Sequence, residues 1–187
     1  MMSHRRTSKP VHVGDVQVGG DAPIAVQSMC STITENVDAT VAQLEQLKDA
    51  GCDIVRIAIP DRAAAEAVPE IVRRAPLPII ADIHFDHRWA LAAIRGGFDG
   101  LRLNPGNIRD AEKVQQVARE AKERGIPIRI GVNAGSLPPI RALAEGELPP
   151  SLPDRMVEAA LWEIKVLNEA GFDDIKISMK AFDVPTM

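Results

Sequence analysis

Gly51-Cys-Asp-Ile-Val-Arg-Ile57, Gly97-Phe-Asp-Gly-Leu-Arg-Leu103 and Gly171-Phe-Asp-Asp-Ile-Lys-Ile177 are three copies of one pattern. In each copy a glycine and an aspartate, one residue apart, precede two further residues, a cation and an aliphatic residue. Each copy follows an amphipathic stretch and opens a run that is typical of a β-strand. Since glycine commonly ends helices, each copy marks a helix-to-strand junction. Repeated junctions of this kind predict a parallel sheet with a cation at the same place in several strands.

Length and composition indicate a globular protein. The chain has 187 residues, enough for one domain with a substantial core, and 45% of them are apolar. No apolar run approaches the ~20 residues that a membrane span requires. The net charge of −4, the lack of tyrosine and the few other aromatic residues argue against nucleic-acid binding. Met1 to Pro10 lacks the apolar segment of a signal peptide, so we expect a flexible N-terminus and a cytoplasmic protein.

Strand and helix patterns alternate along the chain after a short β-hairpin around Gly14-Asp15. The predicted strands are Ile24–Met29, Ile54–Ile59, Pro78–His84, Gly100–Asn104, Pro127–Asn133 and Ile175–Lys180. The predicted helices lie over Val37–Leu47 behind an Asn36 cap, Ala63–Arg74, Arg88–Arg95, Ile108–Ala121 and Val157–Leu167. The proline-rich stretch Ser136–Asp154 is predicted to be an elaborated loop over the strand ends, with a helical turn near Ile140–Ala144, or a plain surface loop.

Polar residues recur at a period of two in several predicted strands, so they point to one side of the sheet. They are Asp82 with His84, Arg102 with Asn104, Arg129 with Asn133, and Lys176 with Ser178 and Lys180. A polar lumen with an apolar outer face favours a TIM-type (β/α)8 barrel over an open sheet. The complete fold needs eight strands, and six are found. We therefore expect an incomplete barrel over residues 11–187, from which the last strands are absent.

Four cations on different predicted strands are the main candidates for ligand binding: Arg56, Arg102, Arg129 and Lys180. Arginine forks match phosphate oxygens, and lysine adds a point charge. Four such cations would repel each other unless an anion, most simply a diphosphate, joined them. The alternative is an internal salt-bridge network with a lumen acid such as Asp82. Lys176 shares the lumen parity but lies deeper than Lys180, so we rank it lower.

The stretch Asp82-Ile-His84-Phe-Asp86-His87 permits a metal-site interpretation. Asp86 and His87, however, are predicted to begin the next loop or to cap its helix, and no second histidine cluster completes a site. We therefore expect no metal ligands in this chain. His84 is instead a candidate proton carrier or hydrogen-bond donor at the barrel mouth, or a structural histidine.

Two polar turns follow predicted strands at the same end of the barrel. Asn104–Asn107 can turn backbone N–H groups toward an anion, with Asn107 as the cap of the next helix, and Gly131–Ser136 exposes backbone and polar side chains. Neither turn has the glycine spacing of a dinucleotide-binding motif. The further candidates for diphosphate binding are Asn104, Asn133, Ser136 and His84.

Cys30 and Cys52 are the only cysteines, too few for a disulfide framework or a four-thiolate metal site. Cys30 follows the first strand at the expected mouth, where a nucleophile is conceivable, but no base is evident beside it. Cys52 begins a strand at the opposite end and is expected to be structural.

Six ordered motifs now become recognisable: Ala25-Val-Gln-Ser-Met29, Val55-Arg-Ile-Ala-Ile-Pro60, Ala81-Asp-Ile-His-Phe-Asp86, Leu101-Arg-Leu-Asn-Pro-Gly-Asn107, Arg129-Ile-Gly-Val-Asn-Ala-Gly-Ser136 and Lys176-Ile-Ser-Met-Lys-Ala181. Together they resemble the N-terminal half of the 4-hydroxy-3-methylbut-2-en-1-yl diphosphate synthase family of the methylerythritol phosphate route to isoprenoids. The resemblance runs from about Pro10 to Met187.

The resemblance implies a barrel that binds 2-C-methyl-D-erythritol 2,4-cyclodiphosphate. It also implies a separate C-terminal domain, in which three cysteines and a glutamate hold a 4Fe-4S cluster. That cluster opens the ring by a two-electron reductive dehydration, with flavodoxin or ferredoxin as electron donor. In the family's homodimer the cluster domain of one subunit covers the barrel of the other. The positions matching the family's diphosphate-binding residues are Arg56, Arg102, Arg129 and Lys180, with His84, Asn133 and Ser136 nearby.

The chain departs from the family pattern in two ways. The cluster ligands and the last barrel strands are absent, so the fragment alone is expected to be inactive. Phe182 stands where the family pattern has serine, which puts one loop contact in doubt. Two other functions remain open: a pterin-binding barrel like dihydropteroate synthase, and a non-catalytic phosphate-binding or dimerisation module.

Overall fold

The computed structural model describes residues 7–140 and 148–186. Within them a two-stranded antiparallel hairpin precedes six parallel strands that alternate with five α-helices. The hairpin strands are β1 (Val11–Val13) and β2 (Val16–Val18). The parallel strands are β3 (Gln27–Met29), β4 (Ile54–Ile59), β5 (Ile79–Ile83), β6 (Gly100–Leu103), β7 (Ile128–Asn133) and β8 (Ile175–Lys180). The helices are α1 (Val37–Asp49), α2 (Arg62–Arg74), α3 (His87–Gly96), α4 (Ala111–Arg124) and α5 (Leu152–Glu169).

The six parallel strands lie side by side in chain order, from β3 to β8. An open doubly wound sheet reverses its strand order at a switch point, whereas a TIM barrel does not. The outward-facing aliphatic residues of the strands, such as Ile57, Leu101 and Ile130, are fully buried in the main core together with the helices. The prediction of an incomplete TIM-type barrel behind a hairpin is confirmed.

Every helix begins at a polar cap that the sequence supplies. A side-chain oxygen of the cap residue accepts a hydrogen bond from a backbone N–H of the first turn at Asn36, Asp61, Asp86, Asp110 and Ser151. Such a cap stabilises a helix by about 1 kcal/mol relative to alanine. The caps therefore fix where each helix leaves the loop above the strands.

The glycines of the repeated pattern make the sharp turns from helix to strand. Gly51, Gly97 and Gly171 have φ angles of 91°, 97° and 70°. This left-handed conformation costs glycine little but strains residues with a Cβ. The repeated pattern is therefore a set of structurally equivalent junctions, as predicted.

The hairpin closes the N-terminal end of the barrel. Val13 is fully buried and packs with Ile54 and Ile80, which are lumen-facing residues at the beginnings of β4 and β5. Its turn lies close to the strand starts, because a Cβ on Gly14 would meet Pro78 at 2.9 Å and Asp99 at 3.2 Å. The lumen therefore has an apolar floor beneath its charged residues.

The first parallel strand is shorter than the predicted Ile24–Met29. Strand pairing begins only at Gln27, because the backbone N–H of Val26 donates to the Asp53 carboxylate at 2.7 Å instead of to a neighbouring strand. The preceding residues follow an irregular path, and Ile24 is 73% exposed.

The prediction that Asn107 caps the fourth helix was wrong. Asp110 provides the cap, and α4 begins three residues later than the apolar spacing indicated. Ile108 is buried, but it lies in a turn in which its N–H and that of Asn107 donate to the Asn104 carbonyl. Burial of Ile108 in this turn extended the apolar pattern beyond the helix.

Two apolar residues of the predicted helix Val157–Leu167 are not buried. Val157 and Leu161 are 48% and 58% exposed. The helix buries Ala160 and Leu167 together with Met156 and Glu163. Its buried face therefore includes a glutamate, which the apolar spacing alone does not indicate.

Two predictions fall partly or wholly outside the described residues. The helical turn near Ile140–Ala144 does so almost entirely, because 141–147 are not described, and the flexible N-terminus does so over residues 1–6. Lys9, in the described part, lies 2.9–3.0 Å from the carboxylates of Asp173 and Asp174. The division into a flexible segment and a barrel domain therefore stays a prediction. No described helix has the length and apolar character to cross a membrane.

Candidate functional site

Four charged residues on adjacent strands form one row across the lumen: Asp82, Arg102, Arg129 and Lys176. Each is the register partner of the next, from β5 through β8. Paired residues of parallel strands point to the same side of the sheet, so the charged row faces the lumen as a unit. Arg56 on β4 joins it from one step lower, with its Nε 3.0 Å from an Asp82 carboxylate oxygen. The structure thus brings together three of the four predicted cations.

Asp82 holds two of the arginines in place. Its carboxylate is 3% exposed, with Oδ2 3.0 Å from Arg56 Nε and Oδ1 3.0 Å from Arg102 Nη1. Arg56 also donates to the Met29 sulfur at 3.1 and 3.3 Å. The salt-bridge network that the sequence left open therefore exists. Asp82 is, however, the only acid in a group that contains four cationic side chains, so the network leaves an excess of positive charge.

The Arg102 side chain lies across the neighbouring strand at Gly131. Its Nη2 donates to the Gly131 carbonyl at 2.8 Å, while its buried Nε has no hydrogen-bond partner. A Cβ on Gly131 would overlap the guanidinium group. Glycine at this point of β7 is therefore what allows Arg102 to turn toward Asp82.

Replacing Gly131 by alanine should displace the Arg102 guanidinium and lower the free energy of unfolding by about 1–3 kcal/mol, the usual cost of overpacking. Urea denaturation of the intact protein measures this. Gly100→Ala is the matched control, because Gly100 faces the lumen on β6 but a Cβ there would find its nearest atom at 3.4 Å. Equal stability of the two variants would contradict the assigned role of Gly131.

The electrostatics of the row show its lack of counter-charge. Burial, together with repulsion by Arg56 and Arg102, lowers the pKa of Arg129 to about 10. Burial and the nearby Arg129 lower the pKa of Lys176 to about 8. Arg129 Nε is buried without a partner. Since bringing an anion into the lumen would relieve these penalties, the row can bind phosphate oxygens.

The remaining candidates lie above the row, at the C-terminal ends of the strands. Lys180 is exposed and is the register partner of Asn133, whose side chain accepts a hydrogen bond from Gly135 N–H at 3.1 Å. His84 is one-third exposed, with Nε2 3.7 Å from an Asp82 oxygen. These residues form the mouth of the lumen, with His84 one step and Asn133 and Lys180 two steps above the charged row.

Asn104 and Ser136 tie two mouth loops together. Asn104 Nδ2 donates to Ser136 Oγ at 2.9 Å, and its Oδ1 accepts from Gly106 N–H at 3.0 Å. Gly106 packs so closely on the Ser136 carbonyl that a Cβ would overlap it. Asn104 is only 5% exposed, so in this state its amide shapes the loops.

The chain matches the GcpE TIM-barrel domain model over residues 8–187. It belongs to the GcpE family. A flavodoxin-type 4-hydroxy-3-methylbut-2-en-1-yl diphosphate synthase from Dehalococcoides mccartyi is 54% identical over 99% of this chain and 52% of that protein. The synthase of the same name from Geobacter sulfurreducens is 54% identical over 95% of the chain and 50% of that protein. The chain spans about half the length of the curated relatives it matches. The resemblance inferred from the six motifs is confirmed.

Solved structures extend the fold likeness of this GcpE-family barrel well beyond the family. A 7,8-dihydropteroate synthase from Vibrio fischeri aligns with a TM-score of 0.62 and 15% identity over 92% of this chain and 66% of that chain. A phospho-2-dehydro-3-deoxyheptonate aldolase from Thermotoga maritima aligns with a TM-score of 0.61 and 10% identity, over 94% of this chain and 47% of that chain. At these identities the likeness concerns the barrel architecture alone.

The Cys30 thiol of the GcpE-family barrel is buried and poorly suited to act as a nucleophile. Burial raises the pKa of the Cys30 thiol to about 11, so it stays protonated at neutral pH and is a poor nucleophile. Cys52 lies at the opposite end of the sheet, just before β4. Asp86, which belongs to the stretch that permitted a metal-site interpretation, instead caps α3 and forms an ion pair with Arg88. In 7–140 and 148–186, no group of three histidine, cysteine, aspartate or glutamate residues could hold a metal ion.

Glu163 is an ionisable residue that the sequence did not single out. It is 1% exposed on α5, and its Oε2 has no hydrogen-bond partner. Burial raises the pKa of its carboxyl group to about 8, while the nearby charge of Arg102 works in the opposite direction. No pattern in the sequence distinguishes this glutamate from the exposed ones of the helix.

Two cavities lie beside the lumen of the GcpE-family barrel and not within it. One, of about 250 Å³, is lined by prolines of the long loop and by Arg109, Arg155 and Trp162. The other, of about 430 Å³, lies at the beginnings of α3 and α4. The charged row lines neither of these two cavities. The lumen face is the candidate site because of its buried charges.

Proposed function

We propose that this chain is the substrate-binding barrel of a reductive synthase that converts 2-C-methyl-D-erythritol 2,4-cyclodiphosphate into 4-hydroxy-3-methylbut-2-enyl diphosphate for isoprenoid biosynthesis. The observation that carries the proposal is the charged row, in which one buried carboxylate faces an excess of cations on adjacent strands. The names of relatives that are 54% identical support the choice of substrate and product.

In this proposal Arg56, Arg102 and Arg129 bind the diphosphate oxygens, because their forks offer several N–H donors each. Lys180 and the mouth residues Asn133, Ser136 and His84 contact the ligand from above. Asp82 keeps two arginines oriented without touching the ligand. Asn104 acts through the loop that carries Ser136. The bound diphosphate thereby holds the reacting carbon atoms at a fixed position in the barrel.

The reaction also needs two electrons. In the described part of the chain, no group of three histidine, cysteine, aspartate or glutamate residues could hold a metal ion. In our proposal the 4Fe-4S cluster is bound by a domain beyond residues 1–187, and flavodoxin, which the relatives' names mention, or ferredoxin supplies the electrons. We further propose a cytoplasmic homodimer in which a partner subunit covers the barrel mouth, and an inactive isolated barrel.

The test is a thermal melt of the full-length protein with the cyclic diphosphate, and with pyrophosphate as control. A ligand at 100 times its Kd stabilises the folded state by about 2.7 kcal/mol. We expect the cyclic compound to raise the melting temperature selectively. An equal rise with pyrophosphate would indicate a general phosphate-binding module, and stabilisation by a pterin diphosphate alone would indicate a pterin-binding barrel.

Arg102→Ala should weaken binding of the cyclic diphosphate by about 1.5–3 kcal/mol, the range for a hydrogen bond to a charged group. Isothermal titration calorimetry on the full-length protein measures this loss. Arg95→Ala is the control, since Arg95 lies on the surface of α3 and pairs with Glu120. If the two variants bind the ligand equally well, Arg102 is not part of the site.

A further inference from the structure

Lys176 is the deepest cation of β8. It is the register partner of Arg129, and it lies four residues, or two steps on the lumen face, below Lys180. Lys176 is half-buried, whereas Lys180 is exposed. The two lysines therefore occupy different levels of the lumen, with Lys176 in the charged row and Lys180 at the mouth.

Within the part of the chain that the structure describes, the charges around Lys176 leave it without a counter-ion. Arg129 is beside it on β7, Arg102 and Asp82 follow along the row, and Lys180 lies above it on its own strand. The Asp82 carboxylate already binds Arg56 and Arg102. Glu163 comes from α5, a helix that packs against β7 and β8, and the charge that it senses is that of Arg102. No ion pair or side-chain hydrogen bond joins Lys176 to another described residue.

We propose that Lys176 is a further ligand-binding residue, which contacts the diphosphate from the β8 end of the charged row and takes up a proton as the ligand binds. The inference rests on the proposed function, because it assigns this role toward the same ligand. Lys176 thereby joins Arg102 and Arg129 in a run of cations on β6, β7 and β8 that converge on one anion.

The direction of the proton movement follows from the electrostatics. In the free protein, burial and Arg129 lower the pKa of Lys176 to about 8, so close to half of the molecules carry a neutral Lys176 at pH 8. A bound anion favours the charged ammonium and raises this pKa. Because the complex then holds more protons than the free protein, affinity falls as the pH rises above about 8. Each phosphorus of the cyclic diphosphate carries one strongly acidic oxygen, so the ligand itself does not titrate in this range.

The test is isothermal titration calorimetry of the full-length protein with the cyclic diphosphate at pH 8, in two buffers that differ in ionisation enthalpy. The wild type should take up roughly half a proton for each ligand bound, as a group with a pKa of about 8 requires. Lys176→Met should abolish this uptake and weaken binding at pH 7 roughly tenfold or more, which corresponds to a lost charged hydrogen bond.

Two further variants separate binding from structure. Lys176→Arg keeps the positive charge but does not titrate, so it should retain most of the affinity and lose the proton uptake. Lys180→Met is the matched control on the same strand: it removes a cation from the mouth, and the proton uptake should remain. If Lys176 had only a structural role, Lys176→Arg would not lose the proton uptake while it kept most of the affinity.

The outcomes distinguish this inference from the proposed function. Tight binding by the wild type without proton uptake, or unchanged uptake in Lys176→Met, overturns the inference and leaves the proposed function intact. If the wild type binds pyrophosphate alone, the substrate assignment fails, and the affinity of Lys176→Met for pyrophosphate at pH 7 then decides whether Lys176 binds the anion. Binding of neither compound overturns both.

Discussion

Replacing Asp82 by asparagine should lower the free energy of unfolding by about 3–5 kcal/mol, the cost of removing one partner from a buried ion pair. Asparagine has nearly the same shape as aspartate, so little packing is lost. The loss comes from charge, because Arg56 and Arg102 each lie 3.0 Å from an Asp82 carboxylate oxygen. Without that carboxylate the arginines repel each other in a half-buried lumen.

Urea denaturation of the intact protein, followed by circular dichroism, measures this change. Asp173→Asn is the control, because Asp173 is 77% exposed in a surface pair with Lys9 and should change stability by less than about 0.5 kcal/mol. A loss below ~1 kcal/mol in the Asp82 variant would show that the arginines reach solvent when released. The charged row would then be less constrained than its burial indicates.

Replacing Glu163 by glutamine should make the protein more stable at pH 8 and nearly unchanged at pH 4. Burial raises the pKa of Glu163 from its ordinary value of 4.5 to about 8. Between these values the unfolded chain ionises while the folded protein keeps its proton. The wild type therefore loses roughly 1.4 kcal/mol of stability per pH unit across this window, and the glutamine variant does not.

The stability difference between wild type and Glu163→Gln should thus grow to a few kcal/mol as the pH rises from 4.5 to 8. Urea midpoints at several pH values give this profile. Glu158→Gln on the exposed face of the same helix should leave the pH profile of the wild type unchanged. Parallel profiles for the wild type and Glu163→Gln would mean that water or a partner solvates the carboxylate.

Local patterns in the sequence predicted much of the fold. The repeated junction pattern located three turns because glycine alone tolerates their backbone geometry easily. Alternation within strands identified the lumen face, since side-chain direction in a strand has a period of two. The same alternation in the sequence predicted that the cations of the candidate site face the lumen.

Contacts between strands were predicted only in outline. A salt-bridge network with Asp82 was one of two alternatives, and strand register, which single strands do not encode, determines which arginines Asp82 binds. The space that Gly131 leaves for Arg102 escaped prediction for the same reason. The same register places Lys176 in the charged row, although the sequence ranked it below Lys180. Glu163 escaped because a glutamate in a helix is expected at the surface, and only the packing of α5 shows otherwise.

The hairpin at the lower end of the barrel gives the lumen two unlike ends. Val13, Ile54 and Ile80 form an apolar floor beneath the charged row, and their side chains offer no hydrogen bond to an anion or to water. An anion that approached the row from below would lose its hydration before it met a cation. The floor therefore favours approach through the C-terminal ends of the strands, where polar side chains replace the lost water step by step.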